Sequence, residues 1–165
     1  MLFRSTSSTS TALAVTIDTT SNAPTTLNLI DASDSSGVGT TGTVSDNLTN
    51  VTTPTITGVA EKGSLVTLYD TFNSATTAIA TATTPGTLAD GAAGQTATVT
   101  LTPSTALAPG IHSLTMKALD GAGTLSSATT TALVVTIDTA SITPTIDLDT
   151  GSDSAGTGTT GTTTD

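Results

Sequence analysis

The chain has 165 residues, 13 acidic and 3 basic, for a formal charge of −10, with 2% aromatic residues and no cysteine. That balance repels phosphate backbones and anionic membranes. It also excludes disulfides and thiolate metal sites, so any metal is to be held by oxygens. One core of ordinary size fits this length, and a composition led by Thr, with Ala, Ser, Gly and Val behind it, favours strands because branching at Cβ suits a pleated surface.

Met1-Leu2-Phe3-Arg4 runs straight into Ser and Thr, with no apolar stretch long enough for a signal peptide or membrane helix, so an export signal is expected elsewhere. The next segment, Thr11-Ala12-Leu13-Ala14-Val15-Thr16-Ile17-Asp18-Thr19, returns as Thr131-Ala132-Leu133-Val134-Val135-Thr136-Ile137-Asp138-Thr139. The correspondence continues through Pro24-Thr25 and Pro144-Thr145. After a one-residue deletion, Leu27-Asn28-Leu29 meets Ile146-Asp147-Leu148, and Ser33-Asp34-Ser35-Ser36-Gly37 meets Ser152-Asp153-Ser154-Ala155-Gly156. An ordered repeat of this kind divides the chain into the last strand of a preceding repeat (1–18), a junction with a first strand (19–53), the body of one complete domain (54–139) and the start of the next junction (140–165).

Between the copies, short alternating segments separated by turn residues read as strands. The first is expected near Thr25 to Ile30, followed by Pro54 to Ala60, Ser64 to Asp70 and Ala78 to Thr84. In Thr96 to Thr102 the residues Ala97, Val99 and Leu101 share one face. In Gly110 to Leu119 the inward set is Leu114, Met116 and Ala118, and Thr131 to Asp138 buries Leu133, Val135 and Ile137. Glu61-Lys62-Gly63, Pro85-Gly86, Ala108-Pro109-Gly110 and Asp120-Gly121-Ala122-Gly123 mark the turns. About seven strands without helices predict an all-β, two-sheet Greek-key sandwich whose core consists of small aliphatic residues.

Three stretches resemble a known family, the last of them the closing Val135-Thr136-Ile137-Asp138-Thr139. Asp46-Asn47-Leu48-Thr49-Asn50 followed by Thr53-Pro54-Thr55-Ile56-Thr57-Gly58-Val59-Ala60-Glu61-Lys62-Gly63-Ser64-Leu65-Val66-Thr67-Leu68-Tyr69-Asp70, and Leu107-Ala108-Pro109-Gly110-Ile111-His112-Ser113-Leu114-Thr115, are similar to the bacterial immunoglobulin-like repeats of large type I-secreted adhesins and biofilm-associated proteins. The pattern departs at Gly94-Gln95-Thr96, where the family commonly carries Gly-x-Trp, and at Asp120-Gly121-Ala122-Gly123-Thr124, where it carries Asp-x-Ala-Gly-Asn. The resemblance implies an extracellular rod of immunoglobulin-like domains on the bacterial surface, stiffened by calcium at the junctions. Its partners would be neighbouring repeats of the same chain, with host or matrix ligands bound by other domains.

Calcium takes six to eight oxygen ligands, and the acids gather in the junctions. Asp18, Asp31, Asp34 and Asp46 fall in the first and Asp138, Asp147, Asp149 and Asp153 in the second. If the strands alternate in direction, the chain enters at one end of the sandwich and leaves at the other. Asp18, Asp120 and Asp90 then form the leading junction site, while Asp70 and the Asp31 to Asp46 loop lie toward the exit with Asp138. The competing reading is that these residues close Asx-turns. Asp147-Leu148-Asp149-Thr150-Gly151 imitates the start of an EF-hand loop but has Gly158 where the bidentate carboxylate belongs, and no calcium β-roll nonapeptide occurs.

No catalytic motif is present: there is no Gly-x-Ser-x-Gly elbow, His-Glu-x-x-His helix or phosphate-cradling loop. The single histidine, His112, reads as a partly buried or surface strand residue. Two functions stay open at this level: a passive spacer whose calcium-filled junctions limit bending, and a module that binds a carbohydrate or protein through its loops. The loops lack the Tyr, Trp and Arg that usually anchor recognition, which favours the spacer.

Overall fold

The computed structural model describes residues 8–13, 15, 17, 19–34, 43–86, 95–141 and 143–146. Every regular element among them is a strand: β1 (Thr25–Leu29), β2 (Leu48–Thr49), β3 (Ile56–Glu61), β4 (Leu65–Phe72), β5 (Ala75–Thr83), β6 (Thr96–Leu101), β7 (Gly110–Leu119) and β8 (Leu133–Ile137). They form a three-stranded sheet in the order β1-β3-β6 and a five-stranded sheet in the order β2-β8-β7-β4-β5. This is the immunoglobulin-like sandwich expected from the strand pattern. No helix among the described residues is long and apolar enough to cross a membrane.

Seven of the eight strands correspond to predicted ones, and Gly110–Leu119 has the predicted limits. The addition is β2, a two-residue strand that runs parallel to β8 with Leu48 opposite Thr136 and Thr49 opposite Ile137. All other strand pairs are antiparallel. Two residues carry no readable alternation. What holds them is a non-local network: Thr136 and Asp138 donate their amide N–H to the carbonyls of Asn47 and Thr49, at 2.9 and 2.8 Å.

The inward faces follow the period of two. Val66 and Leu68 on β4 stand beside Ala118 and Met116 on β7, and Val99 and Leu101 close the core from β6. No aromatic ring fills the middle. Met116 takes that space, and it does so only because residue 58 is glycine: a Cβ there would lie 2.7 Å from the Met116 Sδ. A flexible thioether over a bare backbone thus replaces a large ring.

The β4–β5 hairpin turns on Asn73 and Ser74, whose φ angles of 49° and 67° are those of a type I′ turn. β5 is then a nine-residue edge strand with no charge and no proline, a composition that invites pairing with other chains. Its middle is protected. Ile79 is an extra residue in the β4–β5 register, and its carbonyl accepts a hydrogen bond from the Ser104 amide at 3.3 Å. The bulge and the crossing loop interrupt the edge at its centre.

Strand direction fixes two poles. At one lie the start of β1, the β3–β4 turn and the end of β7, with Leu65 opposite Leu119 and Thr25 opposite Val59. The Ser21 hydroxyl reaches the carbonyl of Ala118 at 3.4 Å, so the segment leading into β1 lies against the end of β7. At the other pole lie the ends of β1, β2 and β8 and the start of β7, with Ile137 opposite Gly110. The chain therefore enters at one pole and leaves at the other.

Candidate functional site

At the N-terminal pole, Glu61 closes β3 and is only 5% exposed. Its parity opposes that of Ile56, Gly58 and Ala60, so alternation alone assigns it to solvent. Neither of its carboxyl oxygens has a hydrogen-bond partner. The main chain around it is well tied: the Ser64 amide and hydroxyl both donate to the Glu61 carbonyl, at 3.2 and 2.7 Å, and Lys62 donates its N–H to the carbonyl of Gln95 at 2.9 Å.

Asp120 follows β7 at the same pole and is also buried. Its Oδ1 accepts the Thr124 amide at 2.7 Å, which closes the Asp120 to Thr124 turn, while Oδ2 is buried without a partner. Buried polar atoms are nearly always satisfied, and an orphan calls for a water, an ion or a catalytic role. A cation that takes many oxygens suits these two acids in its donor chemistry. Among the described residues no three acids or histidines converge into a metal-sized group. Asp18 and Asp90, the other members of the expected set, lie outside the described residues, although the chain on either side of each, at Ser21, Gly86 and Gln95, is described.

At the C-terminal pole Asp34, Asp46 and Asp138 accept main-chain amides. Asp46 accepts the Thr43 amide on one oxygen at 2.8 Å and the Leu48 amide on the other at 3.1 Å. Asp34 is buried and accepts the Asn47 amide at 3.3 Å, and the Thr49 hydroxyl donates to the carbonyl of Ser33. Asp138 accepts the Ala140 amide at 3.0 Å, and Asp31 stands exposed in the turn after β1. The structure thus brings Asp34 and Asp46 together around the start of β2. Asp46 and Asp138 each accept the amide two residues on, which is the Asx-turn reading, whereas Asp34 ties the end of its loop to Asn47, thirteen residues away. Asp147, Asp149 and Asp153 lie outside the described residues.

The amides of Thr43 and Leu48 hold the Asp46 carboxyl below its ordinary pKa of 3.8. A carboxyl lowered in the folded state adds stability that is complete above its unfolded value and is lost as the pH falls through the folded value. Carboxyl-carbon NMR titration is expected to place the Asp46 midpoint below 3.8. Asp46→Asn is expected to flatten the acid limb of the stability curve in that window.

Asp70 lies in the half of β4 toward the exit pole, opposite Leu114, and is buried. Its Oδ2 lies 2.8 Å from Nδ1 of His112, whose Nε2 lies 2.8 Å from the Ala108 carbonyl. Phe72 stacks on the imidazole with ring centroids 4.4 Å apart at 10°. His112 is 1% exposed, which corrects the expectation of a partly buried or surface residue. The signal was in the strands: extending the inward set Leu114 and Met116 back by two reaches His112, and extending Val66 and Leu68 forward by two reaches Asp70. An Asp–His pair invites comparison with a catalytic base, but Nε2 already faces a carbonyl oxygen and is not available to activate a nucleophile.

A cavity of about 400 Å³ opens beside this pair, between β5 and the loop before β7, with Phe72, Ile79 and Leu107 in its wall. Its volume suits a small ligand. The two ionisable groups on its wall, Asp70 and His112, face each other, and Thr77, Ser104 and Thr105 add hydroxyls to it.

Residues 20–139 match the family model of the bacterial Ig-like domain. No curated protein matches the chain.

Proposed function

This chain belongs to the bacterial Ig-like domain family, whose members are typically non-enzymatic modules of surface proteins, and from that premise we propose that it is a structural spacer repeat of a large adhesin, stiffened by calcium at its inter-domain junctions and serving cell adhesion and biofilm formation. The observation that carries this reading is the N-terminal pole. Glu61 and Asp120 bury three carboxyl oxygens without hydrogen-bond donors at the pole where a preceding repeat would attach. Chain entry and exit at opposite poles let such units add end to end, so that each junction contributes to reach and stiffness.

In this reading Glu61 and Asp120 would hold the ion from the body of the domain, and Asp18 and Asp90 are the further carboxylates that the sequence offers for it. When bound there, calcium would supply charge neutralisation to these carboxylates. The chain's own part is to hold the two carboxyls on rigid strand ends. The partners are then neighbouring repeats of the same parent, outside the cell, and host or matrix ligands belong to other domains.

Thermal unfolding followed by circular dichroism in calcium and in excess chelator tests the proposal. A ligand at one hundred times its Kd adds about 2.7 kcal/mol to the folded state, which for a domain of this size is roughly a 10 °C rise in Tm. The rise is expected to be larger for two repeats in tandem, where both sides of a junction supply ligands. No shift in either chain would remove calcium and leave the aspartates as turn formers.

A further inference from the structure

Leu13, Val15 and Ile17 are 86, 71 and 83% exposed, three large aliphatic side chains within five residues. Their described neighbours form no strand. The order Leu, Val, Ile at alternate positions is that of the inward face of β8, where Leu133 is partly buried and Val135 and Ile137 are fully so. Thr11 to Ile17 differs from Thr131 to Ile137 at one position only, Ala14 for Val134. Val134 is 53% exposed on the outer face of the sheet, so the difference falls where the core does not feel it.

We propose that Thr11 to Ile17 is a second β8-equivalent strand which, carried by one copy of the chain, completes the five-stranded sheet of another copy by taking the place of β8 between β2 and β7. That place is defined by its main-chain pairing, antiparallel to β7 from Gly110↔Ile137 to Leu114↔Leu133 and parallel to β2 at Leu48↔Thr136 and Thr49↔Ile137. Ladder hydrogen bonds are indifferent to side chains, and specificity in strand addition comes from the alternate residues that enter the core. Here those residues are identical. β8 is also the last strand of the sandwich, so it leaves without unthreading any other element.

Exchange replaces one apolar set by an equal one, so concentration decides its extent. A tethered β8 competes at an effective concentration on the order of 1 mM, and chain at ~0.1 mM is then exchanged in roughly one molecule in ten. The β8 released by each exchange is free to enter a further copy, so the contact is head-to-tail and grows into open chains. The inference uses the internal repeat and the pairing of β8, and it does not depend on calcium.

Oxidative cross-linking of the full chain tests it, since the native chain has no cysteine. Ser113 faces Val134 across the β7–β8 ladder, so Ala14 of an incoming strand faces Ser113. The double variant Ala14→Cys/Ser113→Cys is expected to give a ladder of disulfide-linked multimers on a non-reducing gel. Its formation should be at least about tenfold faster than in Ala12→Cys/Ser113→Cys, which is two residues out of register. Adding Val15→Asp and Ile17→Asp is expected to abolish that advantage. A second in-register pair, Thr16→Cys with Ile111→Cys, reports the same exchange through the Ile111↔Thr136 position should Ser113→Cys impair folding. Equal rates for the in-register and out-of-register pairs would overturn the proposal, and so would cross-links confined to monomers, which place the segment on its own sheet.

Discussion

Asp70→Ala is expected to destabilise the domain by about 3–5 kcal/mol, because it leaves the buried His112 ring without its acceptor and opens a cavity beside it. For a domain of this size that is a fall in Tm on the order of 10–25 °C. The local geometry explains the size of the effect. His112 has an oxygen at each ring nitrogen and the Phe72 ring on its face, and Asp70 supplies one of those two oxygens. Gly110, with φ of 136° and a Phe72 atom 3.0 Å from where its Cβ would stand, already fixes the start of β7 in this position. Replacing both members by apolar residues, as in Asp70→Leu/His112→Phe, is expected to restore most of the loss, since a well-packed apolar pair often equals a buried hydrogen-bonded pair. Urea titration of the single and double variants measures both. A double variant as unstable as Asp70→Ala would show that the pair does more than satisfy its own burial.

Glu61→Met is expected to act in opposite directions with and without calcium. In chelator, removing two buried acceptors that have no donor is expected to raise stability by about 1–3 kcal/mol. In calcium the same change deletes a ligand, so the gain of about 2.7 kcal/mol expected for the unaltered chain at saturation disappears. The variant would then unfold at the same temperature in both buffers. Glu61→Gln keeps the shape and polarity and is expected to lose the calcium response without the gain in chelator. A Glu61→Met chain that is less stable in chelator, or one that keeps the full calcium response, would take Glu61 out of the site.

Glu61 also marks a limit of sequence reading. Period-two patterning shows which residues share a face, and extending the sets through Leu114 and Leu68 by two would have reached His112 and Asp70, a step the sequence reading did not take. It assigns Glu61 to the outer face, and the residue is nevertheless buried, because the end of a strand is covered by whatever turns and connections pass over it. Such cover depends on chain segments distant in sequence. The same holds for β2, whose two residues acquire their strand character from β8, more than eighty residues further along the chain.

The aspartates divide for a related reason. Asp46 and Asp120 sit in local turns, and their bonds to Thr43, Leu48 and Thr124 span two to four residues, a range over which Asp in a Gly- and Ser-rich loop is readable as a turn former. Whether such a residue keeps a free oxygen is not local. Asp46 spends both oxygens on amides, whereas Asp120 retains one, buried.

By itself the amino-acid sequence determined the all-β class, the positions of seven strands to within a few residues, the inward faces of β6, β7 and β8 and the repeat that joins Thr11 to Ile17 with β8. Each of these rests on periodicity or identity along the chain, and strand sterics act at that range. Only the tertiary structure decided the pairing of Asp70 with His112, the burial of Glu61 and Asp120 at one pole and the place of β2. Each of those depends on which strands become neighbours when two sheets close over one core, and that is settled by the packing of the whole domain at once.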